Sequence, residues 1–289
     1  MVNIGILGTG LMGQPMAQRL LESGFSVTAY NRTPSKLEPL QSAGVHIVAT
    51  PREVLEASDC IILMLTDAAA IRSLLLCEDT RSRLRDRTII QMGTITPTQS
   101  QAIRDEIVAA GGEYLEATVL GSIPEAKSGT LIVMVGSTPE QFDRWLEVLK
   151  SFGSEPLRMG EVGSSAAVKL AMNQLIGSLT SAFALSLAFV RRQGLDVEDF
   201  MKIVRQSALY APTFDKKLQR MLENNYANPN FPVKHLHKDA NLFLEEAQTL
   251  GLETSLVEGV SQVLQRTLDL GLADEDYSAL YQAIENENK

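Results

Sequence analysis

Cysteine and histidine are nearly missing from this chain. Cys60 and Cys77 are the only cysteines in 289 residues; one sits inside an apolar run and one near a helix end, which excludes a disulfide scaffold, and both are expected to be reduced thiols. The three histidines, His46, His235 and His237, are too scattered for a metal or catalytic cluster, so no metal is expected. Basic residues are outnumbered, 26 against 35 acidic ones, for a formal net charge of -9. Without a cationic excess to neutralise phosphates, neither nucleic acid nor an anionic membrane surface is an expected partner. The most apolar long stretch, residues 175–190, is shorter than a spanning helix needs and carries Ser178, Thr180, Ser181 and Ser186, so a buried helix is expected there. There is no internal repeat and no secretory signal before the first strand, which leads to the expectation of a cytoplasmic protein that is not a solenoid.

What the chain does have is a strand, a glycine turn and a helix at its start. Val2, Ile4, Ile6 and Leu7 make a short apolar run that leads into Gly8-Thr9-Gly10-Leu11-Met12-Gly13. In this G-x-G-x-x-G spacing the first glycine permits the tight turn, the second lets backbone approach a pyrophosphate, and the third lets the helix pack on the sheet. Phosphate then sits on the helix N-terminus. Gly8, Gly10, Leu11, Met12 and Gly13 are therefore expected cofactor contacts. The second strand, residues 25–30, ends in Asn31-Arg32-Thr33, with no acid where NAD-specific chains place one for the ribose. A guanidinium takes a 2′-phosphate with two parallel hydrogen bonds, so Asn31, Arg32 and Thr33 point to NADP(H).

Strand and helix patterns then alternate to residue 159. The apolar strand Cys60-Ile61-Ile62-Leu63-Met64-Leu65 suits a parallel strand covered on both faces, and its carboxyl end offers Met64, Leu65 and Thr66 to the ligand crevice. Thr50-Pro51-Arg52-Glu53 reads as a helix start, residues 67–84 as one helix, and Gly93-Thr94-Ile95-Thr96-Pro97 as another turn at the crevice edge. From Gly160 onward only helical periodicity remains, over residues 162–192, 197–206, 214–222, 236–250 and 256–270, with a small one at 277–285. The acidic end, 274–287, reads as a solvated helix and tail. The expected architecture is α/β: a Rossmann-type, mostly parallel sheet in an NADP-binding domain over 1–162, then an all-α substrate and dimerisation domain over 163–289.

On the first long helix of the second half, Lys169 and Asn173 are four residues apart and share one face. Hydride addition to a carbonyl leaves negative charge on oxygen, which an ammonium stabilises and protonates, while an amide orients the substrate. Taken alone, a lysine in an apolar helix is more often a snorkelling surface residue.

Four blocks taken together resemble the β-hydroxyacid dehydrogenases, the family that includes 3-hydroxyisobutyrate dehydrogenase, tartronate semialdehyde reductase and glyoxylate/succinic semialdehyde reductase, and the last of these most. They are residues 5–17, Glu116 to Gly121 followed by Gly129-Thr130-Leu131, Gly160-x-x-Gly163 with Lys169 and Asn173, and Lys238-Asp239. The resemblance covers essentially the whole chain. It implies that Lys169 is the catalytic lysine and Asn173 its substrate-positioning partner, that Lys238 lies near the nicotinamide end of the cofactor, and that Thr94 lies beside the nicotinamide ribose. One stretch departs: the family's Asp/Glu-Ala-Pro-Val-Ser-Gly-Gly, whose serine and amides bind the substrate carboxylate, is here Glu116-Ala117-Thr118-Val119-Leu120-Gly121-Ser122. Leu120, Gly121 and Ser122 remain the expected substrate contacts, with the Gly121 and Ser122 amides as an anion nest and the Ser122 hydroxyl as a substitute.

The expected activity is an NADPH-dependent reductase of a small semialdehyde or 2-oxo acid, such as glyoxylate or succinic semialdehyde, with Lys169 as general acid. The partners expected are a small carbonyl or hydroxy acid substrate and further copies of the chain, as a dimer or tetramer. An NAD(P)-dependent 3-hydroxyisobutyrate-type dehydrogenase is the alternative enzyme, and a non-catalytic dinucleotide-binding interaction module the alternative of another class. Imine reductases, of similar architecture, generally carry Asp or Tyr at the lysine position, so Lys169 argues against them.

Overall fold

The computed structural model describes residues 2–285, in two compact units, Met1–Lys169 and Leu170–Lys289. The first unit holds one sheet of eight strands: β1 (Asn3–Leu7), β2 (Ser26–Tyr30), β3 (His46–Ile47), β4 (Cys60–Leu63), β5 (Thr88–Gln91), β6 (Glu113–Leu120), β7 (Ile132–Gly136) and β8 (Leu157–Gly160). Their order is β3-β2-β1-β4-β5-β6-β7-β8. Every neighbouring pair is parallel except β6 with β7, which is antiparallel. Crossing from β1 to both β2 and β4 creates the switch point at which open α/β sheets bind ligands, beyond the carboxyl strand ends.

The connecting helices are α1 (Gly13–Glu22), α2 (Glu38–Ser42), α3 (Pro51–Ala57), α4 (Ala68–Leu75), α5 (Glu78–Arg81), α6 (Pro97–Ala109), α7 (Ile123–Ser128) and α8 (Pro139–Lys150). They cover both faces, which explains the continuous apolar runs. Along β4, Cys60 and Ile62 enter one core with Ile4, Ile6, Met16 and Leu20, while Ile61 and Leu63 enter the opposite one with Leu7, Ile89 and Ile103. This is the period-two alternation of a strand. Each such buried aliphatic side chain contributes about 1.5–3 kcal/mol.

Helix starts follow their caps. The Thr50 hydroxyl accepts from Glu53 N at 3.3 Å, as its sequence pattern implies, and Thr96 and Thr138 repeat the arrangement with Gln99 and Gln141. Two features differ from expectation. The single helix expected over 67–84 is two, because α4 ends at Leu75 and Cys77 opens α5. The turn after β6 continues into α7, whose start signal, Ser122 with Glu125 three residues on, is a capping-box pattern.

A long helix, α9 (Ser164–Arg192), opens in the first unit and runs into the second. At 29 residues it is long and apolar enough, by length and composition alone, to cross a membrane, and 44% of its most apolar window is buried in the protein. The test of length applied to residues 175–190 therefore does not hold for the whole helix. The second unit adds α10 (Val197–Gln206), α11 (Pro212–Glu223), α12 (Val233–Thr249), α13 (Ser255–Asp269) and α14 (Leu280–Glu285) around a core of Leu187, Met201, Met221, Leu236 and Leu264, with Phe183 stacked on Phe214 at 4.6 Å. The described part of the acidic stretch, residues 274–285, is not a solvated helix. Asp276, Tyr277, Ser278 and Tyr281 are buried, and Asp276 grips Lys217 of α11 through both oxygens at 2.8 and 2.9 Å; residues 286–287 of the expected tail lie outside the described residues.

Candidate active site

The glycine turn leaves β1 at Leu7 and enters α1 at Gly13. Gly8 has φ +97, and a Cβ there would lie 2.4 Å from Met64 O; a Cβ on Gly13 would lie 1.9 Å from Gly8 O. Both positions therefore admit only glycine, one for the turn and one for helix packing. Gly10 differs: a Cβ would meet nothing within 4 Å, so its backbone faces open space where a pyrophosphate would approach. No side chain caps α1 and no acid occupies its first turn, which leaves the first backbone N–H groups to an incoming anion. Leu11 is 47% exposed beside the turn and Met12 half-buried. These residues fit the phosphates of a dinucleotide.

At the end of β2 the roles divide. Asn31 donates through Nδ2 to the Thr9 hydroxyl at 2.9 Å and accepts the Thr33 N–H at 2.8 Å, so its side chain ties the strand end to the glycine turn. Arg32 is exposed and makes no ion pair among the described residues. Along the same sheet edge, Met64 N donates to Leu7 O at 2.9 Å, and Met64 and Leu65 stand half-buried beside the turn. The Thr66 hydroxyl donates to Asp67, the cap of α4. The edge continues through Gly93, where a Cβ would lie 2.5 Å from Leu65 O, to half-buried Thr94.

The carboxyl end of β6 brings the expected proton donor to the expected substrate loop. Lys169 Nζ donates to Val119 O at 2.8 Å, one residue before Leu120. The start of α9 is held there by Glu116, which is 1% exposed on β6. Its Oε1 accepts from the N–H groups of Gly163, Ser165 and Ala166 at 2.7, 2.9 and 3.2 Å, and its Oε2 from the Ser100 hydroxyl at 2.6 Å. Burial pushes the Glu116 carboxyl above its ordinary range, and the four donors partly offset this. Thr118 adds a second clamp, its N–H and hydroxyl both bonded to Ser165 Oγ at 3.1 and 2.7 Å. Glu116 was visible only as part of a resembling stretch. Its clamp role depends on Gly163 to Ala166 returning to β6, which no local pattern announces.

Leu120 is half-buried. The Ser122 amide and hydroxyl, expected as open donors, both donate to Glu125 Oε2 at 2.8 and 2.7 Å.

In the second unit, Asn173 is 1% exposed and donates to Asp239 Oδ2 at 2.7 Å, and Lys238 Nζ pairs with Asp239 Oδ1 at 2.9 Å. The Asn173 amide is thus committed to a carboxylate that sequence reasoning quoted without giving a role. Its own Oδ1 is buried without a hydrogen-bond partner among the described residues. His235 and His237 precede Lys238 on α12, and burial lowers both from their ordinary value.

Residues 3–163 match the NAD binding domain of 6-phosphogluconate dehydrogenase, and residues 163–284 the NAD-binding domain of NADP-dependent 3-hydroxyisobutyrate dehydrogenase. Over 98% of its length the chain is 32% identical to glyoxylate/succinic semialdehyde reductase 2, chloroplastic, of Arabidopsis thaliana, spanning 79% of that protein, and 30% identical to reductase 1 of the same plant, spanning 98% of it. It is also 28% identical, over 96% of its length, to the cytokine-like nuclear factor N-PAC of Drosophila melanogaster, of which it spans 46%. A solved 3-hydroxyisobutyrate dehydrogenase from Salmonella typhimurium has the same fold, with a TM-score of 0.87 at 24% identity, over 98% of this chain and 99% of that one.

Proposed function

The chain belongs to the 3-hydroxyisobutyrate dehydrogenase family of NAD(P)-dependent hydroxyacid dehydrogenases and reductases, and on that premise we propose that it is an NADPH-dependent reductase of small semialdehydes or 2-oxo acids, with Lys169 as general acid. The observation that carries the reading is the Lys169 ammonium anchored on Val119 O at the substrate loop. When bound, NADPH would supply the hydride to the carbonyl carbon. Lys169 passes a proton to the carbonyl oxygen as charge develops there, so that aldehyde, NADPH and one proton become alcohol and NADP⁺, and the amine regains its proton from solvent. Glyoxylate and succinic semialdehyde, the substrates in the names of two relatives, are the first candidates.

Residues 1–162 then hold the cofactor, with Arg32 on the 2′-phosphate and Thr94 toward the nicotinamide. Asn173, one turn after Lys169 on α9, orients the substrate, and residues 163–289 supply a surface for homo-oligomers; the exposed Leu185 and Phe189 of α9 support that role. The likeness to a nuclear factor favours a second reading, a dinucleotide-binding interaction module without turnover. The deciding experiment follows NADPH and NADH oxidation with glyoxylate, succinic semialdehyde, methylglyoxal and a cyclic imine. Turnover of an aldehyde with NADPH is expected, with a preference over NADH that Arg32→Ala reduces about tenfold. Binding of NADPH without turnover of any carbonyl would reject the reductase and favour the module.

A further inference from the structure

The loop where this chain departs from its family already contains a carboxylate. Ser122 N and Oγ converge on one oxygen of Glu125, at 2.8 and 2.7 Å. The Glu125 side chain also lies along the loop backbone: a Cβ built on Gly121, at φ +127, would come within 3.1 Å of Glu125 Cβ and 2.6 Å of Leu131 Cδ2. One residue upstream, half-buried Leu120 stands where the family serine would offer a hydroxyl, and Val119 O holds Lys169 Nζ. A substrate carboxylate directed to this loop would meet an occupied donor pair, a fixed negative charge and an isobutyl group. To displace Glu125 it would leave that carboxylate without its two hydrogen bonds, and to coexist it would sit beside a like charge; both are unfavourable.

We propose that Glu125 is a specificity residue that disfavours a carboxylate adjacent to the reacting carbonyl, so that within the proposed substrate class aldehydes with an uncharged flanking group, succinic semialdehyde among them, are reduced more efficiently than 2-oxo acids such as glyoxylate. The proposal rests on the reading of Lys169 as proton donor and of residues 120–122 as the substrate wall. It goes beyond a helix cap, because a cap alone predicts a change in stability and none in charge selectivity.

The test compares an acid with its own methyl ester. The ratio kcat/KM(acid) to kcat/KM(ester) is measured for glyoxylate and for succinic semialdehyde, with wild type, Glu125→Gln and Glu125→Ala, at saturating NADPH. Wild type is expected to favour the esters. Glu125→Gln keeps an acceptor for Ser122 and removes the charge, and should raise the acid-to-ester ratio about tenfold for glyoxylate and far less for succinic semialdehyde, whose carboxylate is remote from the aldehyde. A glyoxylate ratio unchanged in both variants would overturn the proposal. Titration of oxamate into the NADP⁺-saturated protein makes the same comparison without turnover: about tenfold tighter binding to Glu125→Gln supports the assignment, and equal binding overturns it. A protein that reduces none of these carbonyls would therefore defeat the reductase reading while the oxamate titration still decides the role of Glu125.

Discussion

Glu116 shows how much one residue organises. Its carboxylate accepts the first N–H groups of α9, one turn before Lys169, and so ties the orientation of the proposed proton donor to the sheet. Because burial raises its pKa in the folded protein above the ordinary value of about 4.3, the folded state retains a proton that the unfolded chain releases. Stability relative to the non-titrating Glu116→Gln variant should therefore be greatest below about pH 4 and should fall as pH rises through the raised pKa. Urea midpoints at pH 4 and pH 7 measure this, and a gap that widens toward pH 7 would mean that the four donors outweigh burial. Glu116→Ala, which keeps no acceptor, should cost about 1–3 kcal/mol for each buried N–H left unpaired.

At the scale of elements, legibility followed locality. The β1–turn–α1 unit was readable because its demands lie within six consecutive residues, and Thr50 announced its helix because caps act over three residues. The stretch 274–285 was misread for the converse reason. Asp274, Glu275 and Asp276 look like a solvated acidic run, yet Asp276 is fully buried against Lys217, 59 residues away, and the Lys217 ammonium also lies 4.3 Å from the centre of the Tyr277 ring. Nothing near either residue in sequence signals that pairing. Removing one partner leaves an uncompensated buried charge, so Lys217→Met should lower unfolding stability by about 3–5 kcal/mol, and Lys217→Met with Asp276→Leu should recover part of it. A loss in the double variant equal to the sum of the losses in Lys217→Met and Asp276→Leu alone, measured by chemical denaturation, would show that the pair is not energetically coupled.

Across the whole molecule, the order of elements and four separated motifs carried the fold class, while the site was only half legible. Lys169 was singled out through resemblance, since a lysine in an apolar helix is ambiguous by itself; the structure adds that its ammonium is held by Val119 O at the carboxyl end of β6. The partners that shape the site were not legible, because Glu116 with Ser165 and Asn173 with Asp239 are joined across 49 and 66 residues. Ser122 illustrates the limit best: its position was expected, but whether its donors are open depends on Glu125. The central claim is that Lys169 protonates the carbonyl oxygen in an NADPH-dependent reduction, and a single-turnover measurement with NADPH-saturated protein tests it most directly. Lys169→Ala should slow hydride transfer to the best aldehyde by about a hundredfold or more while NADPH affinity stays within about twofold; an unchanged single-turnover rate would contradict the account.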